Sequence, residues 1–141
     1  MDLYRAPLRA LGRAALASMF ITGGADAFFD PAHRVKQAAE LGIKEPELAV
    51  RANGLAMVVA GAALALGYKP RAAAAVLAGL LIPTTLAGHP FWKLSDPHAR
   101  HQQEIQFFKN LSMFGGALMV VAERPTPKRQ RSRQRSRQRS R

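Results

Sequence analysis

Residues 72–92 read AAAAVLAGLLIPTTLAGHPFW, and this stretch decides the fold. It holds no Asp, Glu, Lys or Arg between Arg71 and Lys93, and its first part is almost wholly apolar. A helix rises about 1.5 Å per residue, so a helix of this length crosses the ~30 Å hydrocarbon core of a bilayer. In water the segment would have to be buried on every side, and a chain of 141 residues is too small to wrap it. The stretch therefore predicts a membrane-spanning helix.

Three further apolar segments flank this stretch, and the four together predict an all-α fold, a bundle of four transmembrane helices. We expect the spans at about residues 8–29, 48–66, 72–89 and 100–122. Residues 1–123 then form one membrane domain. Gly67 is placed to end the second span, and Ser95-Asp96-Pro97 form the cap and opening of the fourth. Residues 31–47 are a polar connection with a short surface helix that stops at Gly42.

The first segment has a competing interpretation, a cleavable signal peptide. Its basic start, its apolar run and the triplet Ala25-Asp26-Ala27 all fit that template. Asp26 lies inside the supposed cleavage site, however, and Phe28 and Phe29 continue the apolar run, so we favour an uncleaved span. Small and polar side chains recur at every fourth residue of the segment: Ala14, Ser18, Thr22 and Asp26. We expect this face to pack against a neighbouring helix.

The strong positive charge of the chain belongs to its last part. The chain has 21 Lys and Arg against nine Asp and Glu, and nine of the basic residues lie in residues 124–141, which begin with Arg124 and end with Arg141. This tail repeats Arg, Gln and Ser without a large apolar residue, so we expect it to be disordered. It has no aromatic residue for base stacking. We therefore expect the tail to contact anionic lipid rather than nucleic acid.

The positive-inside rule orients the predicted spans. Four spans place both termini on the same side of the membrane, and that side then carries fourteen Lys and Arg against six on the other side. Both termini should therefore be cytoplasmic. Without residues 124–141 the count is five against six, so the predicted orientation depends on the tail.

Counting depth along the spans brings polar residues of all four helices to one level of the membrane. With about 1.5 Å per residue from the span centres, most of them lie roughly 6–9 Å to the outer side, with Arg51 and His89 just beyond. This polar cluster consists of Asp26, Arg51, Asn53, Thr84, Thr85, His89, Lys109 and Asn110. An unpaired lysine near the membrane centre costs roughly 2.5–3.5 kcal/mol or more, so we predict that Asp26 pairs with Lys109.

Three interpretations of this cluster stay open. It can be a structural clamp that fixes the register of the helices. It can be an outward-facing pocket for a polar headgroup or a quinone-like ring. Alternatively, Lys109 extends to the membrane interface without a partner.

The composition restricts redox and metal chemistry. Because the chain has no cysteine, it cannot itself exchange thiols and disulfides, and a redox role requires a bound cofactor or a partner protein. His98 and His101 lie near Asp96 and Glu104, but this loose spacing is unspecific, and we predict no metal site. The sequence has no evident pairing of a nucleophile with a base, and it leaves open whether the protein is an enzyme.

Four motifs follow one another on the four predicted spans: GGADAFFDP, VRANG, PTTLAGHPFW and QFFKNL. With these motifs, residues 11–121 resemble the DoxX family of small bacterial membrane proteins. The resemblance implies a four-helix bundle in the bacterial inner membrane. Some members are linked to quinone-coupled sulfur oxidation or to membrane oxidoreductase complexes, which implies a redox-associated accessory or anchor subunit here, with a soluble oxidoreductase as partner.

The alternative is a protein that binds or acts on a quinone or a lipid at the polar cluster. The chain itself carries no cofactor in either case, and quinone is the candidate cofactor. The family supplies no agreed catalytic residue, and the basic repeat departs from its pattern.

Overall fold

The computed structural model describes residues 4–123, which are entirely helical apart from the connections. The helices are α1 (Arg5–Phe29), α2 (Ala32–Glu40), α3 (Pro46–Leu66), α4 (Pro70–Gly88) and α5 (Pro97–Ala122), with a 3₁₀ turn at Phe91–Lys93 before α5. The all-α prediction is confirmed for this part of the chain. The predicted disordered tail lies outside the described residues.

Proline, aspartate and glycine set the helix ends. Pro46, Pro70 and Pro97 lie in the first turn of α3, α4 and α5, where the missing N–H has no intrahelical partner to lose. Asp96 caps α5 by accepting a hydrogen bond from the Ala99 N–H at 2.8 Å. Gly67 ends α3 in the left-handed conformation, with φ of 71°. Both predicted caps, at Gly67 and Asp96, are confirmed.

The closest packing joins α1 to α3, which run antiparallel. Gly24 of α1 faces Gly54 of α3, and a Cβ added at either glycine would lie 2.6 Å from the carbonyl oxygen of the other. Further along, a Cβ added at Gly61 would lie 2.9 Å from the Ile21 side chain. Because glycine has no side chain, the two backbones touch directly, as small residues permit in membrane helices.

The packing face predicted for the first segment is wrong. The four residues expected on it, Ala14, Ser18, Thr22 and Asp26, are exposed. The buried residues of α1 are instead Ala17, Phe20, Gly24 and Ala27. The Ser18 hydroxyl donates to the Ala15 carbonyl at 2.7 Å, and the Thr22 hydroxyl donates to the Ser18 carbonyl at 2.9 Å. Because both hydroxyls are satisfied within their own helix, neither requires a neighbouring helix.

The four long helices are arranged in the order α1, α3, α4, α5. α3 packs on α4 and α4 on α5, whereas α1 and α5 touch only slightly. Phe20, Leu64 and Leu77 are the large side chains that are fully buried at the centre. Arg71 joins the start of α4 to the end of α5, because its Nε donates to the Val121 carbonyl at 2.8 Å.

Three helical segments among the described residues are long and apolar enough to cross a membrane. They are Pro46–Leu66, Pro70–Lys93 and Pro97–Ala122. The helix α1 has 25 residues, which is long enough, but it is not one of the three. Its Arg9, Arg13 and Asp26 lower its hydropathy. The structure thus supports three of the four predicted spans, and the span at residues 8–29 stays a prediction.

Candidate functional site

A cavity of about 890 Å³ opens at one end of the bundle. α1 and α4 end at this side of the molecule, and α3 and α5 begin there, so every long helix contributes to the wall. The short helix α2 lies over the same end and adds its own side chains. The volume falls within the roughly 300–1,000 Å³ that small-molecule sites occupy.

The polar side chains in the wall of the cavity all lie toward the α2 end. There they include Asp26, Asn53, Thr84, His89 and Lys109, and they lie beside apolar residues such as Leu41, Val50 and Leu86. Deeper in the bundle the wall is apolar, with Met19, Phe20, Met57, Leu81 and Met113. On each long helix the apolar lining residue lies one or two turns deeper than the polar one. A molecule in the cavity would therefore meet polar groups at one end and flexible apolar side chains at the other.

The structure brings six of the eight residues of the predicted cluster around this cavity. They are Asp26, Asn53, Thr84, His89, Lys109 and Asn110. Thr85 lies behind the wall and is buried. Arg51 lies outside the lining and joins the start of α3 to the end of α1. It donates to the Phe28 carbonyl and, at 2.9 Å, to Glu47 Oε1.

Two amide–hydroxyl pairs join helices at the wall. Asn53 Nδ2 donates to Thr84 Oγ1 at 3.1 Å and joins α3 to α4. Asn110 Nδ2 donates to Thr85 Oγ1 at 3.1 Å and joins α5 to α4. Each threonine hydroxyl in turn donates to a carbonyl of its own helix, four residues earlier. These pairs have the geometry that the clamp interpretation requires.

The predicted pair between Asp26 and Lys109 is not formed. Asp26 Oδ2 accepts instead from Arg34 at 3.2 Å, and Lys109 Nζ donates to Gln106 Oε1. The physical reason is that α1 and α5 touch only slightly, so both side chains line the cavity without meeting. Each charge therefore takes a partner close to it in sequence.

His89 is held at the cavity by α5. Its Nδ1 lies 2.7 Å from Gln103 Oε1. Because an amide oxygen only accepts hydrogen bonds, Nδ1 carries the proton in this arrangement, and in the neutral ring Nε2 is then an acceptor. A ligand hydroxyl or N–H could donate to that nitrogen.

Sequence reasoning missed the contribution of α2. Its His33, Arg34 and Gln37 line the cavity, and so does Gln103 of α5. Gln37 Nε2 donates to the Gly88 carbonyl at 3.4 Å, which holds α2 against the end of α4. The available signal was the spacing of His33 and Gln37 on one face of a short amphipathic helix.

The lining is balanced in charge. It contains two carboxylates, Asp26 and Asp30, and two cations, Arg34 and Lys109. The remaining polar residues of the lining are neutral amides, a threonine and two histidines. Such a wall favours a neutral or zwitterionic ligand over one with a large net charge.

No group of three or more His, Cys, Asp or Glu side chains that could hold a metal ion occurs among residues 4–123. His98 lies 3.2 Å from Gln102, and His101 lies 3.9 Å from Glu104 at the exposed start of α5. These two histidines lie outside the cavity lining.

The model of the DoxX family matches residues 8–90 of this chain. The match covers α1, α2, α3 and α4 and ends before the 3₁₀ turn and α5. The QFFKNL motif at residues 106–111 therefore lies beyond the matched part. Searches among curated proteins and among solved structures found no match.

Proposed function

The chain belongs to the DoxX family, and from that premise we propose that this membrane protein binds the polar ring or head of a lipid-soluble molecule in its cavity. The observation that carries the proposal is the uneven wall, in which the polar side chains lie toward α2 and the part toward the bundle centre is apolar. A molecule with one polar end and one apolar end matches that distribution. The three helices able to cross a membrane support a location where such molecules dissolve.

The balanced charge of the wall selects among such molecules. A quinone ring is neutral, and its two carbonyl oxygens accept hydrogen bonds from donors such as the Lys109 ammonium and the Gln37 amide. A zwitterionic lipid head is the second candidate, because Asp26 and Arg34 already place one charge of each sign at the same wall. We place the quinone first because a flat ring needs fewer charged contacts than a lipid head.

Thermal unfolding of the purified protein with a decyl-substituted benzoquinone, and separately with phosphatidylethanolamine, tests this proposal. We expect the bound probe to raise the unfolding temperature in proportion to its concentration relative to its Kd. Lys109→Met should weaken quinone binding roughly tenfold or more, because a hydrogen bond from a charged donor is lost. Lys93→Met is the matched control, since Lys93 is an exposed lysine that does not line the cavity. No stabilisation by either probe contradicts the proposal.

We further propose that α1 is the fourth span. It packs along α3 from Gly61 to Gly54, and α3 is one of the helices able to cross a membrane. A helix that packs lengthwise on a transmembrane helix lies in the same layer. The satisfied hydroxyls of Ser18 and Thr22 are compatible with a lipid-facing surface. Four spans would place both termini on one side, which the charge count assigns to the cytoplasm of a bacterial inner membrane.

Reporter fusions at the two ends distinguish this topology from one with three spans. If α1 spans the membrane, both fusions should report the cytoplasm. If only the three more apolar segments span it, the two fusions should report opposite sides. Deletion of residues 124–141 should give a mixed orientation, because the remaining basic residues are nearly balanced. A uniform orientation without the tail would show that the tail does not set it.

The second candidate function is an accessory or anchor subunit of a membrane oxidoreductase complex. It is supported by family membership and by the lack of cysteine, since a chain without thiols leaves thiol chemistry to a partner. Purification from mild detergent should then recover a soluble oxidoreductase in a fixed ratio to this chain. Repeated recovery of the chain alone, under crosslinking, would count against it. Contact of the basic tail with anionic lipid belongs to either function.

A further inference from the structure

The helices α1 and α5 have few contacts, and one of them lies at Gly116. A Cβ added at Gly116 of α5 would lie 3.5 Å from the Leu16 side chain of α1, so the two helices touch there. The pair is otherwise the weakest contact among the neighbouring long helices. The lining residues of α1 begin at Met19, and Leu16 lies nearer the Arg5 end of the helix. The contact between Leu16 and Gly116 therefore lies below the cavity and closes the cavity floor between α1 and α5.

Above that contact, the facing strips of both helices line the cavity. Met19, Gly23 and Asp26 continue the strip of Leu16 along α1, at three, seven and ten residues further on. Met113 and Lys109 continue the strip of Gly116 along α5, at three and seven residues earlier. These strips should face each other, yet Met19 is 43 % exposed, and Asp26 and Lys109 are also exposed. The cavity therefore reaches the side of the bundle between α1 and α5.

Gly23 lies beside open space at this side of the bundle. A Cβ added at Gly23 meets no atom within 4 Å, although its neighbour Gly24 is pressed against α3. The empty space beside Gly23 is thus on the cavity side of α1. We name the space bounded by Met19, Gly23, Lys109 and Met113 the side opening.

The end of the cavity is more covered than its side. α2 crosses the end, where Arg34 pairs with Asp26 and Gln37 bonds to the Gly88 carbonyl. The side opening, in contrast, has methionines on both edges and lies next to α5, a helix able to cross a membrane. In a bilayer that these helices cross, the covered end would face water and the open side would face lipid.

From this geometry we propose that the ligand carries a long apolar chain, that the chain lies in the side opening, and that the ligand enters from the bilayer between α1 and α5. This inference rests on the proposed binding function and specifies the class of ligand. The polar group lies at the α2 end, beside Asp26, Asn53 and Lys109. The chain leaves past Gly23, where only hydrogen occupies the side-chain position.

Matched probes with and without a chain test the inference in the purified full-length protein. One pair is a decyl-substituted benzoquinone and the same ring without the chain; the other is a dioleoyl phosphatidylethanolamine and its soluble headgroup, glycerophosphoethanolamine. Burial of about half of the decyl chain should tighten binding at least roughly hundredfold. Gly23→Phe fills the side opening and should remove most of that gain.

Gly12→Phe is the control variant. Gly12 lies on the same helix, a Cβ added there also meets no atom within 4 Å, and it does not line the cavity. Because a chain also drives partition into detergent, the decisive quantity is the affinity of Gly23→Phe relative to that of Gly12→Phe. Gly23→Leu repeats the test with a smaller side chain if Gly23→Phe does not unfold cooperatively.

The outcomes separate the two proposals. Equal affinity for both members of each pair in the unmodified protein, or equal loss in Gly23→Phe and Gly12→Phe, overturns the chain and its route but leaves the binding site intact. The chain-dependent pattern with the lipid pair alone supports the inference and assigns the ligand as a lipid. No binding of any of the four probes overturns both proposals.

Discussion

The two neighbours of α1 show opposite ways of using small residues. Toward α3, Gly24 and Gly54 bring two backbones into contact, with no room for a methyl group. Toward α5, Gly23 faces open space beside the cavity. These two glycines are adjacent in sequence, and one is packed against a neighbouring helix while the other lines the cavity. A glycine pair in a membrane helix therefore does not identify a packing face until its orientation is known.

The largest effect on stability should come from adding a methyl group at Gly24, where α1 packs tightly against α3. Gly24→Ala places a methyl group 2.6 Å from the Gly54 carbonyl oxygen, so the helices must separate. Overpacking of this kind costs about 1–3 kcal/mol. Gly23→Ala meets no atom and should be neutral or stabilising by up to about 1 kcal/mol, because alanine favours the helix. Unfolding of both variants in the same detergent measures the difference.

The comparison between these adjacent positions removes the shared gain in helix propensity. The difference in the free energy of unfolding therefore reports the collision alone. Equal stability of Gly24→Ala and Gly23→Ala would mean that α1 and α3 are further apart than the structure places them. The side of α1 at Gly24 would then be no more tightly packed than the side at Gly23.

A smaller effect on stability should come from the hydrogen bond that holds α5, the helix on the other side of the side opening from α1. Since α5 barely touches α1, its position depends on α4 and on the hydrogen bond from Asn110 to Thr85. Asn110 is 7 % exposed. Asn110→Ala should destabilise the protein by about 1–2 kcal/mol through the lost hydrogen bond and the space left behind.

Ser112→Ala is the control for this change. Ser112 is exposed, and its hydroxyl donates only to the Phe108 carbonyl of its own helix at 2.9 Å. Its replacement should alter the stability by less than about 0.5 kcal/mol. If Asn110→Ala is no more destabilising than Ser112→Ala, the amide–hydroxyl pair does not fix α5.

The sequence was sufficient to predict the quantities that depend on distance along a helix. Fixed rise per residue placed Asp26, Asn53, Thr84 and Lys109 at one level, and these residues do line one cavity. Capping chemistry is equally local, so the roles of Gly67 and Asp96 were predictable. What lies at the same depth follows from counting.

Counting along a helix could not predict which face of α1 packs against α3, nor where α2 folds back against the bundle. The strip through Ser18 and Thr22 has the small residues of a packing face, but α1 packs on α3 through Gly24, where the lack of a side chain lets the two backbones touch. The connection at residues 31–47 has no assigned depth, so its amphipathic pattern indicates a surface helix but not the position of that helix over the cavity. The partner of Asp26 was wrong for that reason, because Arg34 lies on α2.

The smallest effect concerns the charges on either side of the side opening. Asp26 pairs with Arg34 at 3.2 Å, and both side chains are accessible, so their coupling should be small, between about 0.2 and 1 kcal/mol. A double-mutant cycle with Asp26→Asn and Arg34→Gln measures it. The same cycle with Asp26→Asn and Lys109→Met should give a coupling energy near zero, because the opening separates the two charges. A coupling of Asp26 to Lys109 that exceeds its coupling to Arg34 would mean that α1 and α5 close on each other in the membrane. In that case the side opening would be one state of the protein, and Asp26 and Lys109 would hold the closed one.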